Sequence, residues 1–203
     1  MDRNAVVYLV DDDQAVRDSL KWVIESAGFT VETYASSQAF LDAYRHDRPG
    51  CLVLDVRMPG ISGLNLQTRL ADKHSILPII FISAHATVPD AVRAMRAGAV
   101  DFLIKPFNNQ DLLDRIEQCV AEAVRRREER RQREEVARRL ATLTPREREV
   151  LDGVVAGRTN RAIAAEMKVS VKTVDAHRAK VMDKMQASSL AELVHLMHLP
   201  PPP

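Results

Sequence analysis

The 203-residue sequence predicts an α/β chain in two parts: a doubly wound domain on a parallel sheet, then a long helix leading into a small all-α domain. Three observations predict this. Up to about residue 107, five short apolar runs alternate with segments of helical period; from Asn109 to about Leu140 no Gly or Pro interrupts a run of strong helix formers; beyond Leu140 the pattern is entirely helical.

The apolar runs are "AVVYLV", "FTVETY", "CLVLD", "PIIFIS" and "DFLIK". Five strands separated by helices imply βαβ crossovers, which make the sheet parallel and bury both its faces. The intervening helices fall at roughly 14–27, 37–45, 62–72 and 88–97, with a fifth starting near Asn109. Gly28 and Gly98 follow the first and fourth, where a left-handed residue commonly ends a helix.

The fifth helix continues past the point where a compact domain needs it. Glu122/Arg126, Glu129/Arg133, Glu134/Arg138 and Glu135/Arg139 are spaced i,i+4 with the acid first, each pair worth about 0.2–0.5 kcal/mol. The acids interleaved with its arginines mark a solvated linker helix rather than a nucleic-acid surface. In heptad register Leu113, Ile116, Val120 and Ala123 form an apolar seam that gives way to Arg127, Arg130 and Glu134, so any coiled coil is short and weak.

Next, "TPRE" at 144–147 is a capping box with Pro in the first helical position, predicting a helix from Pro145 to about Ala156, closed by Gly157. Thr159 caps "NRAIAAEM", Ser170 caps "VKTVDAHRAKVMDKM", and Ser189 opens "LAELVHLMHL", giving four short helices. The resulting organisation is a domain over 1–120, its fifth helix continuing as a linker over 109–140, a helical domain over 141–199, and a polyproline tail over 200–203.

Composition narrows the function. At 46% hydrophobic residues the chain can build one large core or two small ones. No apolar run approaches the roughly 18 residues of a membrane span, and "MDRNAVVYLVDDD" lacks the basic-then-apolar order of a signal peptide, so a cytoplasmic protein without a membrane partner is expected. Cys51 and Cys119 read as reduced structural thiols, and His195 and His198 lack the acidic or thiol neighbours of a metal site. Residues 1–107 carry 13 acids and 11 Lys/Arg, whereas residues 140–203 carry 7 and 9, which assigns any polyanion partner to the C-terminal part.

The chemistry gathers at strand ends. Asp55 ends a strand made to be buried on both faces; Asp11, Asp12 and Asp13 end the first, Ser83 the fourth and Lys105 the fifth. In a parallel sheet these carboxyl ends share one edge, and in the order 2-1-3-4-5 the switch point falls beside Asp12 and Asp55. Converging carboxylates repel one another unless a cation intervenes, and oxygen-only ligands suit Mg²⁺. Lys105 adds a fixed positive charge and Ser83 a hydroxyl, a set that can stabilise a phosphoryl group on a carboxylate.

With Asp11-Asp12, "DVRMPGISG", Ser83, Phe102 and Lys105-Pro106 in order, residues 5 to about 120 resemble a receiver domain of the CheY-like response regulators. The resemblance implies that Asp55 accepts a phosphoryl group from a sensor histidine kinase. It implies Mg²⁺ held by Asp12, Asp55 and the carbonyl of Arg57, with Asp11 contributing through water. Ser83 and Lys105 would hold the phosphoryl oxygens, Phe102 would act as the switch aromatic by packing alone, and a cis peptide is expected at Lys105-Pro106. Asp13 is expected only to cap the following helix.

In the C-terminal part, Lys172, Arg178, Lys180 and Lys184 lie on one helix that follows a shorter helix and a tight turn, which suggests a helix-turn-helix. The stretch "LTPREREVLDGVVAGRTNRAIAAEMKVSVKTVDAHRAKVMDKM" resembles the LuxR/NarL-type DNA-binding domain, and the two halves together resemble FixJ-type transcriptional response regulators. That implies Lys172, Thr173, Asp175, Ala176 and Ala179 facing the groove, and Arg178 and Lys180 contacting phosphate or bases. Thr144, Asn160, Arg161, Ser170 and His177 are further contact candidates, while Leu151, Ile163, Val174 and Val181 pack the core. Asp175 departs from a common Lys; an acid can accept from cytosine N4, so Asp175→Lys is expected to change sequence preference more than affinity.

The resemblance therefore implies a transcription factor, not an enzyme, that binds double-stranded promoter DNA with RNA polymerase as a candidate partner. Phosphorylation would drive homodimerisation through Ala91, Val92, Met95 and Asp101, with Leu193, Leu196 and Met197 as contacts of the last helix. A phosphorylation-controlled protein-interaction module without sequence-specific DNA binding is the alternative.

Overall fold

A computed structural model describes residues 5–45, 48–73, 75, 77–85 and 87–198. The expected end of the last helix at Leu199 and the polyproline tail 200–203 lie outside the described residues. The chain divides into two compact units, the first ending at Arg127 and the second beginning at Glu128.

In the first unit β1 (Val6–Val10), α1 (Gln14–Ser26), β2 (Thr30–Tyr34), α2 (Ser37–Ala43), β3 (Gly50–Asp55), α3 (Gly63–Asp72), β4 (Ile79–Ser83), α4 (Val88–Arg96) and β5 (Asp101–Ile104) alternate before α5 (Asn109–Ala141) begins. The strands pair in parallel in the order β2-β1-β3-β4-β5, with Val7 of β1 between Val31 and Cys51. Every residue of β1, β3 and β4 is buried, because helices cover both faces. On one face Tyr8, Leu52, Leu54 and Phe81 pack against Phe40 of α2, Leu66 and Leu70 of α3 and Ala94 of α4. On the other, Val7, Leu9, Val53, Ile80 and Ile82 meet Leu20 and Ile24 of α1 and Leu112, Ile116 and Cys119 of α5. Each such side chain contributes about 1.5–3 kcal/mol on burial, so the sheet edge that carries the acids is held by two cores. β5, three of whose four residues are apolar, is an edge strand and only partly buried.

Helix starts follow side-chain caps. Asp13 Oδ1 accepts from the backbone N–H of Ala15 at 2.8 Å, and Ser62, Thr87 and Thr159 cap α3, α4 and the second helix of the C-terminal unit. Gly28 and Gly98 take φ of +89° just beyond α1 and α4.

The second unit contains α6 (Pro145–Val155), α7 (Asn160–Met167), α8 (Val171–Met185) and α9 (Leu190–His198). Its core joins Val150, Leu151, Ile163, Val174, Val181, Met185 and Leu193. The fifth helix runs unbroken from Asn109 to Ala141, and its C-terminal part also contributes to this second core. Val136 of α5 is buried in this second core, Leu140 packs against it, and Arg139 Nη1 donates to the carbonyl of Met185 at 3.0 Å. The C-terminal third of α5 thus packs as part of the second unit.

The apolar seam on α5 also has a different use from a coiled coil. Leu112, Ile116, Cys119, Val120 and Ala123 are buried, and all but Ala123 belong to the core under the sheet, while Leu113 lies at its margin. The ion pairs differ in one place: Glu122–Arg126, Glu129–Arg133 and Glu135–Arg139 form, but Glu134 pairs with Arg130, and Arg138 pairs with Glu135.

Candidate functional site

Three strand ends bring the acidic constellation together. β1 runs out into Asp11, β3 ends on Asp55, and β5 leads into Lys105, whose Nζ donates to Asp11 Oδ2 at 2.6 Å and to Asp55 Oδ1 at 3.0 Å. Asp11 is 1% exposed and Asp55 7%, so both carboxylates are stripped of water and depend on this cation. The other oxygens are held by backbone: Asp55 Oδ2 accepts from Arg57 N–H at 2.7 Å, and Asp11 Oδ1 from Asp13 N–H at 2.9 Å. Burial pushes the Asp55 carboxyl above its ordinary value; Lys105 and the Arg57 N–H oppose that rise, and the neighbouring Asp11 adds to it. Burial alone would lower the Lys105 ammonium, but its hydrogen bonds to Asp11 and Asp55 together leave it raised.

Ser83, 1% exposed at the end of β4, accepts from the backbone N–H of His85 at 3.3 Å, which leaves its hydroxyl hydrogen as a donor. Phe102 is half-buried and stacked on Phe81, with ring centroids 5.9 Å apart. The Lys105-Pro106 peptide bond is cis.

Asp12 is exposed, and its carboxylate has no partner among the described residues. Among those residues no three His, Cys, Asp or Glu side chains are assembled as a metal cluster, since Lys105 stands between Asp11 and Asp55. The donor chemistry still suits a hard divalent cation: oxygen atoms only, with one free carboxylate beside a buried pair whose single compensating charge is Lys105.

Two contributors were not among the expected site residues, although the second closes the "DVRMPGISG" motif. Arg17 Nη1 donates to the carbonyl of Asp11 at 2.7 Å. Gly63 begins α3 directly beneath Asp55, where an added Cβ would lie 2.2 Å from the Asp55 carbonyl oxygen, so only glycine permits this approach.

The candidate dimer residues divide. Val92 and Met95 of α4 are 43% and 44% exposed, Ala91 is half-buried, and Asp101 pairs with Arg115 at 2.7 Å. Leu193 is corrected: it is fully buried in the second core and presents nothing to a partner, whereas Leu196 and Met197 are half-buried at the margin of that core.

On the second unit, α7 and α8 pack against each other through a turn at Lys168, which adopts φ of 57°. Lys172, Asp175, Ala176, Ala179 and Lys180 are exposed on α8, Thr173, His177 and Arg178 are half-buried, and Arg161 is exposed on α7. Thr144 and Ser170 are helix caps, and the Ser170 hydroxyl lies 2.8 Å from that of Thr173. Asp175 is not a free acid: its Oδ1 accepts from Asn160 Nδ2 at 2.6 Å. Leu151, Ile163, Val174 and Val181 lie in the core.

Comparison with known proteins matches residues 7–117 to the response regulator receiver domain and residues 141–197 to the bacterial regulatory proteins of the luxR family. The chain is 46% identical, over 94% of its length and 93% of the relative's, to the transcriptional regulatory protein FixJ of Bradyrhizobium diazoefficiens. It is 42% identical, over 96% of its length and 89% of the relative's, to the response regulator protein TmoT of Ectopseudomonas mendocina. A solved structure of the response regulator StyR is similar with a TM-score of 0.89 at 44% identity, covering 96% of this chain and 98% of that one. No helix among the described residues is long and apolar enough to cross a membrane.

Proposed function

Because the chain belongs to the FixJ-type two-component response regulators, a receiver domain joined to a LuxR-type helix-turn-helix domain, we propose that phosphoryl transfer to Asp55 controls its binding to promoter DNA. It is a DNA-binding regulator of transcription rather than an enzyme, and its general partners are a histidine kinase and DNA. The observation that carries the reading of Asp55 is the Lys105 ammonium held between two buried carboxylates at the carboxyl edge of the sheet.

An oxygen of the Asp55 carboxylate attacks the phosphorus of the kinase's phosphohistidine. The P–N bond breaks, its electron pair stays on the imidazole nitrogen, and the acyl phosphate forms. Asp55 then no longer carries the charge that Lys105 compensates, so the ammonium is free to pair with a phosphoryl oxygen, and the Ser83 hydroxyl donates to another. Asp11, Asp12, Asp55 and the carbonyl of Arg57 would hold Mg²⁺, which when bound neutralises phosphoryl-oxygen charge. As Ser83 moves toward the phosphoryl group, Phe102 repacks against Phe81, altering the surface that carries Ala91, Val92, Met95 and Asp101.

That surface pairs two copies, with Leu196 and Met197 adding contacts between the C-terminal units. A dimer offers two α8 helices to two half-sites, so DNA affinity rises on modification. Thr144, Asn160, Arg161, Ser170, Lys172, Thr173, Ala176, His177, Arg178, Ala179 and Lys180 form the DNA-facing set, RNA polymerase is a candidate partner at the promoter, and the site of action is the cytoplasm. The test is intact-mass spectrometry after incubation with acetyl phosphate and Mg²⁺. Wild type is expected to gain one phosphoryl group and Asp55→Asn none; equal labelling of the two would overturn the assignment.

A further inference from the structure

Asn160 is the first residue of α7, and its side-chain amide lies between two residues of α8. Nδ2 donates to Asp175 Oδ1 at 2.6 Å, and Oδ1 accepts from Arg178 Nη1 at 2.9 Å. A carboxylate can only accept and a guanidinium can only donate, so the two partners fix which way the amide points. Asp175 and Arg178 are three residues apart on one face of α8, and the acid reaches the guanidinium through the amide.

An acid on a helix that meets DNA is unfavourable by itself, because it repels phosphate. Beside the exposed Lys172 and Lys180, a second role for the acid would offset this cost. We propose that Asp175 is a positioning residue for DNA binding: it orients Asn160, which holds the Arg178 guanidinium ready for a backbone phosphate. The inference rests on the reading that α8 enters the groove. Arg178 is the eighth residue of α8, past the N-terminal part that faces base edges, and this directs it to the backbone. Only Nη1 is engaged by Asn160, so the remaining N–H donors of the guanidinium are left for a phosphate. Fixing a long side chain before DNA arrives removes part of the ordering cost of binding.

The sign of the effect separates this role from simple charge. If Asp175 only repels DNA, Asp175→Ala tightens binding to any duplex. If it reads a base, the substitution changes the preferred sequence. If it positions Arg178, binding weakens alike on all sequences although a negative charge has been removed.

The experiment uses the full chain, activated with beryllofluoride. The probes are a duplex selected by the wild-type protein from a randomised pool and a scrambled duplex of the same composition, each titrated over a range of salt concentrations. Asp175→Ala is expected to weaken binding to both duplexes about tenfold, the lower end of the loss for a hydrogen bond to a charged group. It should lower the log–log salt slope by about one, as loss of one phosphate contact does. Asp175→Asn, which keeps an acceptor oxygen, should retain most of the affinity. In an Arg178→Ala background, Asp175→Ala should no longer weaken binding and should instead tighten it slightly. Tighter binding by Asp175→Ala with Arg178 present, or a changed sequence preference, would overturn the proposal. Should Asp175→Ala lose its fold on thermal melting, Asn160→Ala breaks the same chain of contacts and leaves the residues of α8 unchanged; because Asn160 also stands in the DNA-facing set, its loss supports the proposal only if it vanishes in the Arg178→Ala background, and a loss that persists there would overturn it. Wild type that binds neither duplex at any salt concentration overturns the DNA-binding reading itself, an outcome distinct from loss in the variants alone.

Discussion

Replacing Lys105 by Met removes the cation that bridges the two buried carboxylates and keeps most of the unbranched side chain. Lys105 Nζ lies 2.6 Å from Asp11 and 3.0 Å from Asp55, and the three side chains are 20%, 2% and 9% exposed in that order. At an effective dielectric constant of about 20, each contact carries about 6 kcal/mol of gross attraction. The water removed from the two carboxylates does not return when the lysine is lost. Breaking such a pair costs about 3–5 kcal/mol, and the partial exposure of Lys105 places the loss near the lower bound, at about 3 kcal/mol. Proton uptake limits the damage, since a carboxylate with an ordinary pKa near 4 takes a proton at pH 7 for about 4 kcal/mol, and this falls by about 1.4 kcal/mol per pH unit. The folded variant therefore binds protons more readily than its unfolded chain, and its deficit relative to wild type shrinks as pH falls, to about 1 kcal/mol at pH 5. Urea unfolding read by hydrogen exchange at β1 and β3 amides isolates the first unit. Asp11→Asn in the same background should recover most of the loss at pH 7. A deficit below about 1 kcal/mol that does not vary with pH would refute the claim that Lys105 holds a buried acid pair.

Val136→Ala should destabilise the second unit by about 2 kcal/mol and leave the first unchanged, because Val136 is 7% exposed within the second core; unit-resolved hydrogen exchange checks this, and no loss would return that part of α5 to a mere connector. Gly63→Ala should abolish phosphoryl uptake from acetyl phosphate as well as lower stability, since its Cβ would press within 2.2 Å of the Asp55 carbonyl oxygen; unchanged labelling kinetics would count against this packing. The Glu147 carboxyl is held down to about 2, first by Lys184 at 2.6 Å and then by the Thr144 backbone N–H. Being depressed in the fold, it stabilises the second unit above the ordinary glutamate range and loses that contribution as pH falls toward 2, so a Glu147→Gln chain should lack this part of the acid sensitivity on thermal melting.

Much of this fold is legible residue by residue. Strands buried on both faces show as unbroken apolar runs, glycines at 28 and 98 mark helix ends, and the carboxylate at the end of "CLVLD" stands out against its neighbours. The turns after α7 and α8 gave no such mark, because Lys168 and Gln186 rather than glycine take the left-handed conformation. The partial burial of β5 follows from the strand order rather than from its composition, since three of its four residues are apolar. Val136 looks like an incidental apolar residue in a charged helix because its burial is set by helices far along the chain. The same holds at the site. That Asp55, Asp11 and Lys105 share one edge follows from parallel topology, but that a single ammonium bridges both acids depends on side chains 50 and 94 residues apart. Asn160, Asp175 and Arg178 are likewise linked across 15 and 18 residues, which no local periodicity reveals.

The central claim is that modification of Asp55 drives assembly of the regulator, and molar mass by light scattering tests it most directly. Wild type and Asp55→Asn are compared in Mg²⁺ with and without beryllofluoride as the phosphoryl mimic. The account predicts a dimer in treated wild type alone. A mass unchanged by treatment, or a dimer that forms equally in Asp55→Asn, would contradict it.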